Sequence, residues 1–331
     1  MLAKRLLSHA RLVLSGLVGV VAAPLLVAGV GASPARAEAV PYVAWSTYLP
    51  GWTDEYVPSS DNDCVAGKPS CLRHTRKELG RILSETGKSC SHNAVFALAY
   101  TRITQTYAWS LESPGYFEDE RYLNHMDAVF ARYYTDAYYS YRSGNRADVP
   151  QSWLTAFDAA RDKRVTGVGD LMLGMNAHIN RDLPYVLAGV GLVRPDGSSG
   201  KADYDKVEQF LNDASKAMMA EAAARFDPTL DDVADPLGAA YGTIFQIISA
   251  GRENAWRNAE ALVTAPTAEA RALVAANIEA QANALAQGIL LAQSYAPPLT
   301  STTSRDAYCK LHQGDTAPVA YPFGTPAPYA S

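Results

Sequence analysis

Apolar positions recur three and four residues apart over most of the chain, and strict alternation is nearly absent. That period predicts helices rather than strands. The first helix covers about 75–86, with Gly87 as its stop. The second covers 91–111, where Val95, Phe96, Leu98, Ala99, Ile103 and Tyr107 form the apolar face and Ser113-Pro114-Gly115 ends it. A third runs over 118–141, with Met126, Phe130, Tyr133 and Ala137 as a core seam. Pro150 opens a short helix anchored by Trp153 and Phe157, since a first turn tolerates proline. A strongly apolar central helix follows at 169–184. Three more occupy 204–225, 236–262 and 267–293, the last Ala-rich with Leu273, Val274, Ile278, Leu285 and Ile289 on its apolar side. The predicted fold class is all-α: a single helical domain of seven or eight helices over 73–295. An irregular arm over 38–72 precedes it and a Pro/Ser/Thr-rich tail over 296–331 follows.

The central helix breaks its own pattern. Within GDLMLGMNAHINRDLP it carries Asn176, His178, Asn180 and Asp182. A buried polar group without a partner costs roughly 1–3 kcal/mol, so the segment is either a polar network in the core or the floor of a site. At α-helical spacing His178 and Asp182 share a face, and Gly174 leaves room beside the imidazole. Asn176 and Asn180 form a second pair turned away from the first. Pro184 has no N–H to give the Asn180 carbonyl, which predicts a kink or helix end there. One helix cannot surround such a pair with polar groups. The expectation is therefore that His178 and Asp182 face a cavity that receives a polar side chain from another helix. Asp127 is the candidate, from a face of the third helix that also carries Glu120, Asn124 and Tyr134. That face could equally be solvated.

The string GMNAHINRDLP resembles the core signature of an uncharacterised bacterial family, known only as a domain of unknown function. The likeness takes in Phe96, Tyr100 and Thr104, the run MDAVFARYYTDA from Met126 to Ala137, and Trp153, and extends to Trp256. It implies a shared helical fold and passes on no activity. A more distant likeness is to zinc-dependent phospholipase C and single-strand nucleases, whose helix G-x-x-x-H-x-x-x-D-x-x-P is matched by Gly174, His178 and Asp182. The final proline would fall at Tyr185, one place beyond Pro184. Those enzymes also use further histidines and an N-terminal Trp as ligands, and this chain departs from them on both counts.

Lys4, Arg5 and Arg11 precede or open an apolar run over 12–30, followed by Ala35-Arg36-Ala37. This reads as a secretory signal peptide over 1–37, cleaved after Ala37. The alternative is an uncleaved anchor, because the run approaches bilayer-spanning length. The mature chain holds no second run of that length, so no stable membrane span is expected after cleavage. The whole chain has a formal net charge of −5, and the leader removes only basic residues, which disfavours a nucleic-acid partner. Cys64, Cys71, Cys90 and Cys309 are an even set in an exported chain and read as disulfides. Of the three pairings, spacing favours Cys64–Cys71 as a local loop and Cys90–Cys309 as a clasp tethering the tail.

No H-E-x-x-H, G-x-S-x-G, C-x-x-C-H or phosphate-binding glycine loop is present. The loop from Arg194 to Gly200 is the candidate hinge or lid. His74 with Glu78 is a second His–carboxylate pair at helical spacing, which could add zinc ligands or be coincidence. His92 and His312 would approach each other if their neighbouring cysteines pair. The leading functional reading is a secreted hydrolase acting on a small-molecule or envelope-derived substrate, with His178, Asp182 and Asp127 as catalytic candidates. With a divalent metal such as zinc, His178 and Asp182 would be ligands and a bound water the nucleophile. Without one, Asp182 would orient His178 as general base. Asn176, Asn180 and Tyr134 are the substrate-binding candidates. The rival reading is a non-catalytic cell-envelope binding or structural protein, in which the His/Asp/Asn cluster is a core network and the Tyr-rich third helix makes the contacts. A deep pocket reaching His178 favours the enzyme; a sealed, fully hydrogen-bonded His178 favours the rival.

Overall fold

The structure, a computed structural model, describes residues 54–230, 239–296 and 304–322, and of 239–245 the backbone only. The signal-peptide reading and the first part of the N-terminal arm, up to residue 53, lie outside the described residues. Those residues form helices α1 (Pro69–Lys88), α2 (Ala94–Ser110), α3 (Glu120–Arg142), α4 (Gln151–Arg161), α5 (Gly167–Met175), α6 (Leu183–Val190), α7 (Lys201–Arg225), α8 (Ala239–Thr264), α9 (Ala268–Ala292) and α10 (Arg305–His312). A π-helical turn, Asn176–Asp182, joins α5 to α6 in one rod, so the described residues hold nine rods. They contain no strand, only isolated bridges at Val165–Ser294 and Val193–Ser199. No helix among them is long and apolar enough to cross a membrane.

Local chemistry sets the helix ends. Asp119 caps α3 by accepting from the Tyr122 N–H at 2.9 Å, and Thr166 and Thr267 cap α5 and α9 in the same way. Helix α1 begins at Pro69, earlier than the periodicity suggests, because proline is suited to the first turn. It passes Gly87 and stops where Cys90 turns left-handed (φ 51°). Gly191, at φ 100°, stops α6.

Helix α2 packs against both α1 and α7 and is buried over most of its length. The π turn sits at the crossroads, touching α3, α4, α8 and α9. Helix α9 keeps part of its predicted face: Ile278 is buried and Val274 and Ile289 pack against the core, whereas Leu273 and Leu285 do not. Its buried stripe is Ile278, Ala282 and Ala286, while Leu273 is 73% exposed. Small alanines let α9 approach the π turn closely, so methyl-sized residues rather than leucines mark its contact side.

Both disulfides form as spacing suggests. Cys64–Cys71 closes a local loop and Cys90–Cys309 ties α10 back to the end of α1. Around that clasp, Arg305 pairs with Asp170 at 2.8 Å and Asp227 at 3.0 Å. His92 accepts from Arg305 through Nδ1 and meets Asp306 through Nε2, each at 3.0 Å. His312 instead pairs with Asp315, so the two histidines do not meet. The Arg194–Gly200 loop is a tight turn pinned at its root, where buried Arg194 binds Glu118 and Asp203.

Candidate functional site

Pro184 shapes the site by what it lacks. With no N–H, it cannot bond the Asn180 carbonyl. The rod does not end there; it widens, and the Leu183 N–H reaches back five residues to the His178 carbonyl. Such π turns are short insertions in α-helices and concentrate at functional sites.

The widened turn separates the polar residues that the sequence groups together. Asp182 is fully buried and held by two partners. Its Oδ2 accepts from Trp153 Nε1 at 2.7 Å and its Oδ1 accepts from Arg181 Nη1 at 2.9 Å. His178 Nδ1 lies 3.8 Å from Asp182 Oδ2, beyond hydrogen-bond reach. Asn180 donates to the Asn176 side chain, and Asn176 donates to the Ala282 carbonyl of α9. The two amides therefore lace the π turn to α9. Gly174 makes room for Phe96 rather than for the imidazole: a Cβ there would come within 2.4 Å of that ring. Tyr134 is buried in the same aromatic cluster, against Phe96 and Trp153.

His178 faces the other way, into a cavity of about 150 Å³ between α2, α3, α7, α8 and the π turn. Asp127 lines the same cavity from α3, whereas Asp182, Asn176, Asn180 and Tyr134 do not. The walls are mostly aromatic and aliphatic. Phe130 stacks on the His178 ring, with centroids 3.5 Å apart and planes 3° from parallel, and Tyr100 lies 4.3 Å away.

The hydroxyls of Tyr107, Tyr204 and Ser215 and the Arg252 guanidinium on these walls are hydrogen-bonded within the protein, and five other polar atoms lack partners. Both His178 ring nitrogens, Asp127 Oδ2, Tyr100 Oη and Thr104 Oγ1 are buried and make no hydrogen bond. Burial lowers the His178 pKa, opposed only in part by Asp182, so the ring is neutral at physiological pH. Burial alone pushes the Asp127 carboxyl up to about 7, because no cation offsets it. Asp127 as a residue is only partly buried, and it lines the cavity.

A second cavity, of about 300 Å³, lies beside the Cys64–Cys71 loop and receives His74, Glu78 and His125. Its polar groups are largely engaged: both His125 nitrogens meet carbonyls, of Cys64 and Asp54, and Glu78 pairs with Arg81. The His74–Glu78 pair is therefore not assembled as ligands. Among the described residues no group of three or more His, Cys, Asp or Glu is arranged to hold a metal ion. The donor set of the zinc phospholipases is not built around His178, whose nearest carboxylate is committed to Trp153 and Arg181.

Tyr100, Thr104 and Phe130 were not singled out as site residues by pattern alone. Their signal was present: Phe96, Tyr100 and Thr104 repeat every four residues along one stripe of α2, and two of the three bring hydroxyls to an apolar face.

The chain is thus an all-α protein with an apolar cavity that carries unpaired acid–base groups. It belongs to the family of unknown function DUF5995, whose model matches residues 72–292. No curated protein and no solved structure matches it.

Proposed function

We propose that this protein is an exported enzyme of the hydrolase type that acts on a small, largely apolar molecule inside the α2–α3–α7 cavity. One observation carries the reading. Two acid–base groups of opposite kind, His178 and Asp127, meet one apolar cavity with their functional atoms unpaired. Each such atom is expensive to leave unsatisfied, and a bound ligand is what would satisfy it. The two disulfides and the leader support export.

The chemistry follows from the protonation states. Neutral His178 accepts a proton from water as the water oxygen bonds to the acyl carbon. The imidazolium then returns that proton to the leaving oxygen or nitrogen as the carbon–heteroatom bond breaks. Asp127, protonated up to about pH 7, donates a hydrogen bond to the developing oxyanion, with the Tyr100 hydroxyl as a further donor. Asp182 acts on His178 through its charge across 3.8 Å and through the Trp153 anchor that fixes the turn. Asn176 and Asn180 hold the turn against α9.

The test is turnover of simple esters and amides by the purified mature chain, with His178→Ala and Asp127→Asn beside it. Hydrolysis lost in both variants, with unchanged far-ultraviolet circular dichroism, is the expected result. Hydrolysis that survives His178→Ala overturns the assignment. A second reading, ligand binding without turnover, is favoured by the scarcity of polar groups on the cavity wall. Uptake of a ligand that is never converted would support it.

A further inference from the structure

Helix α9 has two faces, and the core accounts for only one of them. Ile278, Ala282 and Ala286 are buried. On the opposite side stand Leu273, Asn277, Ala280, Ala284, Gln287 and Leu291, all exposed. Leu273 is 73% and Leu291 82% exposed, and Leu285 beside them is also open to solvent. These leucines are three of the six large apolar side chains that stand exposed among the described residues. A solvated helix face carries charge, as on α8, where Arg257 pairs with Glu253 and Glu260. Between Arg271 and Arg305 the only charged residue is Glu279, which turns to Arg181. An exposed apolar surface with no charge on it marks an interaction site.

The order of the six residues says what fits there. They follow one another at spacings of 4, 3, 4, 3 and 4, the alternation of a helix–helix seam. From either end the succession of types is the same: leucine, amide, alanine, alanine, amide, leucine. Two-fold association demands a surface complementary to itself, with residue i on residue j and j on i. Laid antiparallel on a second α9, about an axis level with Ala282, Leu273 meets Leu291, Asn277 meets Gln287 and Ala280 meets Ala284 of the second copy. The amides then exchange hydrogen bonds, and the central alanines let the two backbones approach to about 8 Å. An unrelated partner gives no reason for this end-to-end symmetry. A membrane surface calls for Lys or Arg along the polar flank, and the one cation of α9, Arg271, is buried and bonded to the Leu262 carbonyl.

We infer that the exposed face of α9 binds a second copy of this chain, giving a two-fold dimer in which the two α9 helices run antiparallel. The helix is already ordered by the fold, so association does not have to order it. From Leu273 to Leu291 the seam runs about 27 Å at 1.5 Å per residue. One helix pair of that length is at the small end of specific interfaces, so the dimer is reversible and concentration-dependent. The inference does not rest on the hydrolase reading, because none of these residues lines the cavity.

Sedimentation velocity of the full mature chain, at concentrations from micromolar to millimolar, should show a monomer–dimer equilibrium. Leu291→Asp and Ala284→Lys each alter the seam twice per dimer and should weaken it at least about tenfold. Both positions are exposed, so circular dichroism should not change. Leu311→Asp on α10, where the side chain is 79% exposed, should leave the dimer as it is. Orientation is read by oxidative crosslinking, since the four native cysteines are already paired. Leu273→Cys chains mixed with Leu291→Cys chains should link to each other, and neither should link to itself. Self-linking of Leu273→Cys chains alone overturns the antiparallel dimer. A dimer untouched by Leu291→Asp and Ala284→Lys overturns the inference, because its interface then lies elsewhere. A chain that stays monomeric across the series also overturns it, and binding of that monomer to vesicles of neutral lipid would assign the face to a membrane instead.

Discussion

Two histidines in this protein are equally buried, each 5% exposed, and live opposite lives. His92 sits at the α10 clasp with both ring nitrogens engaged, one by Arg305 and one by Asp306. Burial and the Arg305 charge hold its pKa down to about 4, so it is a neutral spacer between an arginine and a carboxylate. His178 sits at the cavity with neither nitrogen engaged. Burial alone does not separate structural from functional histidines; the fate of the two nitrogens does. The clasp engages both nitrogens of its histidine from within the chain, although Asp170 Oδ1 there makes no hydrogen bond, and the cavity leaves both nitrogens of its histidine for something from outside.

The clasp should therefore answer mutation with lost stability. Replacing Cys90 and Cys309 together by Ser opens a loop of 219 residues and should lower stability by about 4–5 kcal/mol in the chain-entropy account, read from denaturant unfolding. Arg305→Met leaves Asp170 and Asp227 without their shared cation and should cost about 3–5 kcal/mol. If it costs nothing, the clasp is not the structural half of the comparison.

Asp182 lies between the two regions. Asp182→Asn weakens the tie to Arg181 and Trp153 and should cost about 1–3 kcal/mol, seen as a lower Tm with ligand binding weakened only in proportion. Asp127→Asn should move the other way with pH. Between its unfolded value of 3.8 and about 7, the folded protein holds a proton that the unfolded chain has lost. Asp127 therefore reduces stability as pH rises through that window. Asn removes the slope, so the variant should gain on the parent by about 2–3 kcal/mol more at pH 8 than at pH 5. A parallel pair of melting curves at both pH values would break that assignment. His178→Ala is expected to have the smallest effect on stability, about 1 kcal/mol: one stacked ring is lost and two unpaired nitrogens go with it. A much larger loss, with no loss of ligand, would make His178 a core residue like His92.

Much of the helical layout was legible because it depends on local period, and both cysteine pairings because few are possible. The site was half legible. The polar run Asn176 to Asp182 announced itself against an apolar background. Which way each member points did not, because α-helical spacing put His178 and Asp182 on one face and the π turn disposes of them differently. Gly174 likewise told of a close approach without saying that Phe96 makes it. The face of α9 was legible only in part: Val274, Ile278 and Ile289 pack inward as the period indicates, but that period rewards large residues and passes over Ala282 and Ala286, which make their contact by being small.

The π turn carries one residue more than an α-helical path between the same endpoints would need. Segment length is therefore as much a determinant as segment composition. Deleting a single residue such as Ala177 would let the rod heal toward regular α-helix, with only the bond that Pro184 cannot give still missing. Yet the part of the rod before the deletion would rotate by about 100° relative to the part after it. The helix before the turn and the helix after it would then lose their present phase, and the imidazole at the cavity and the carboxylate at Trp153 could not both keep their places against the rest of the core. The rod works as a phase-setting device, and its improvement by the ordinary measure of helix regularity would erase the distinction between its two faces.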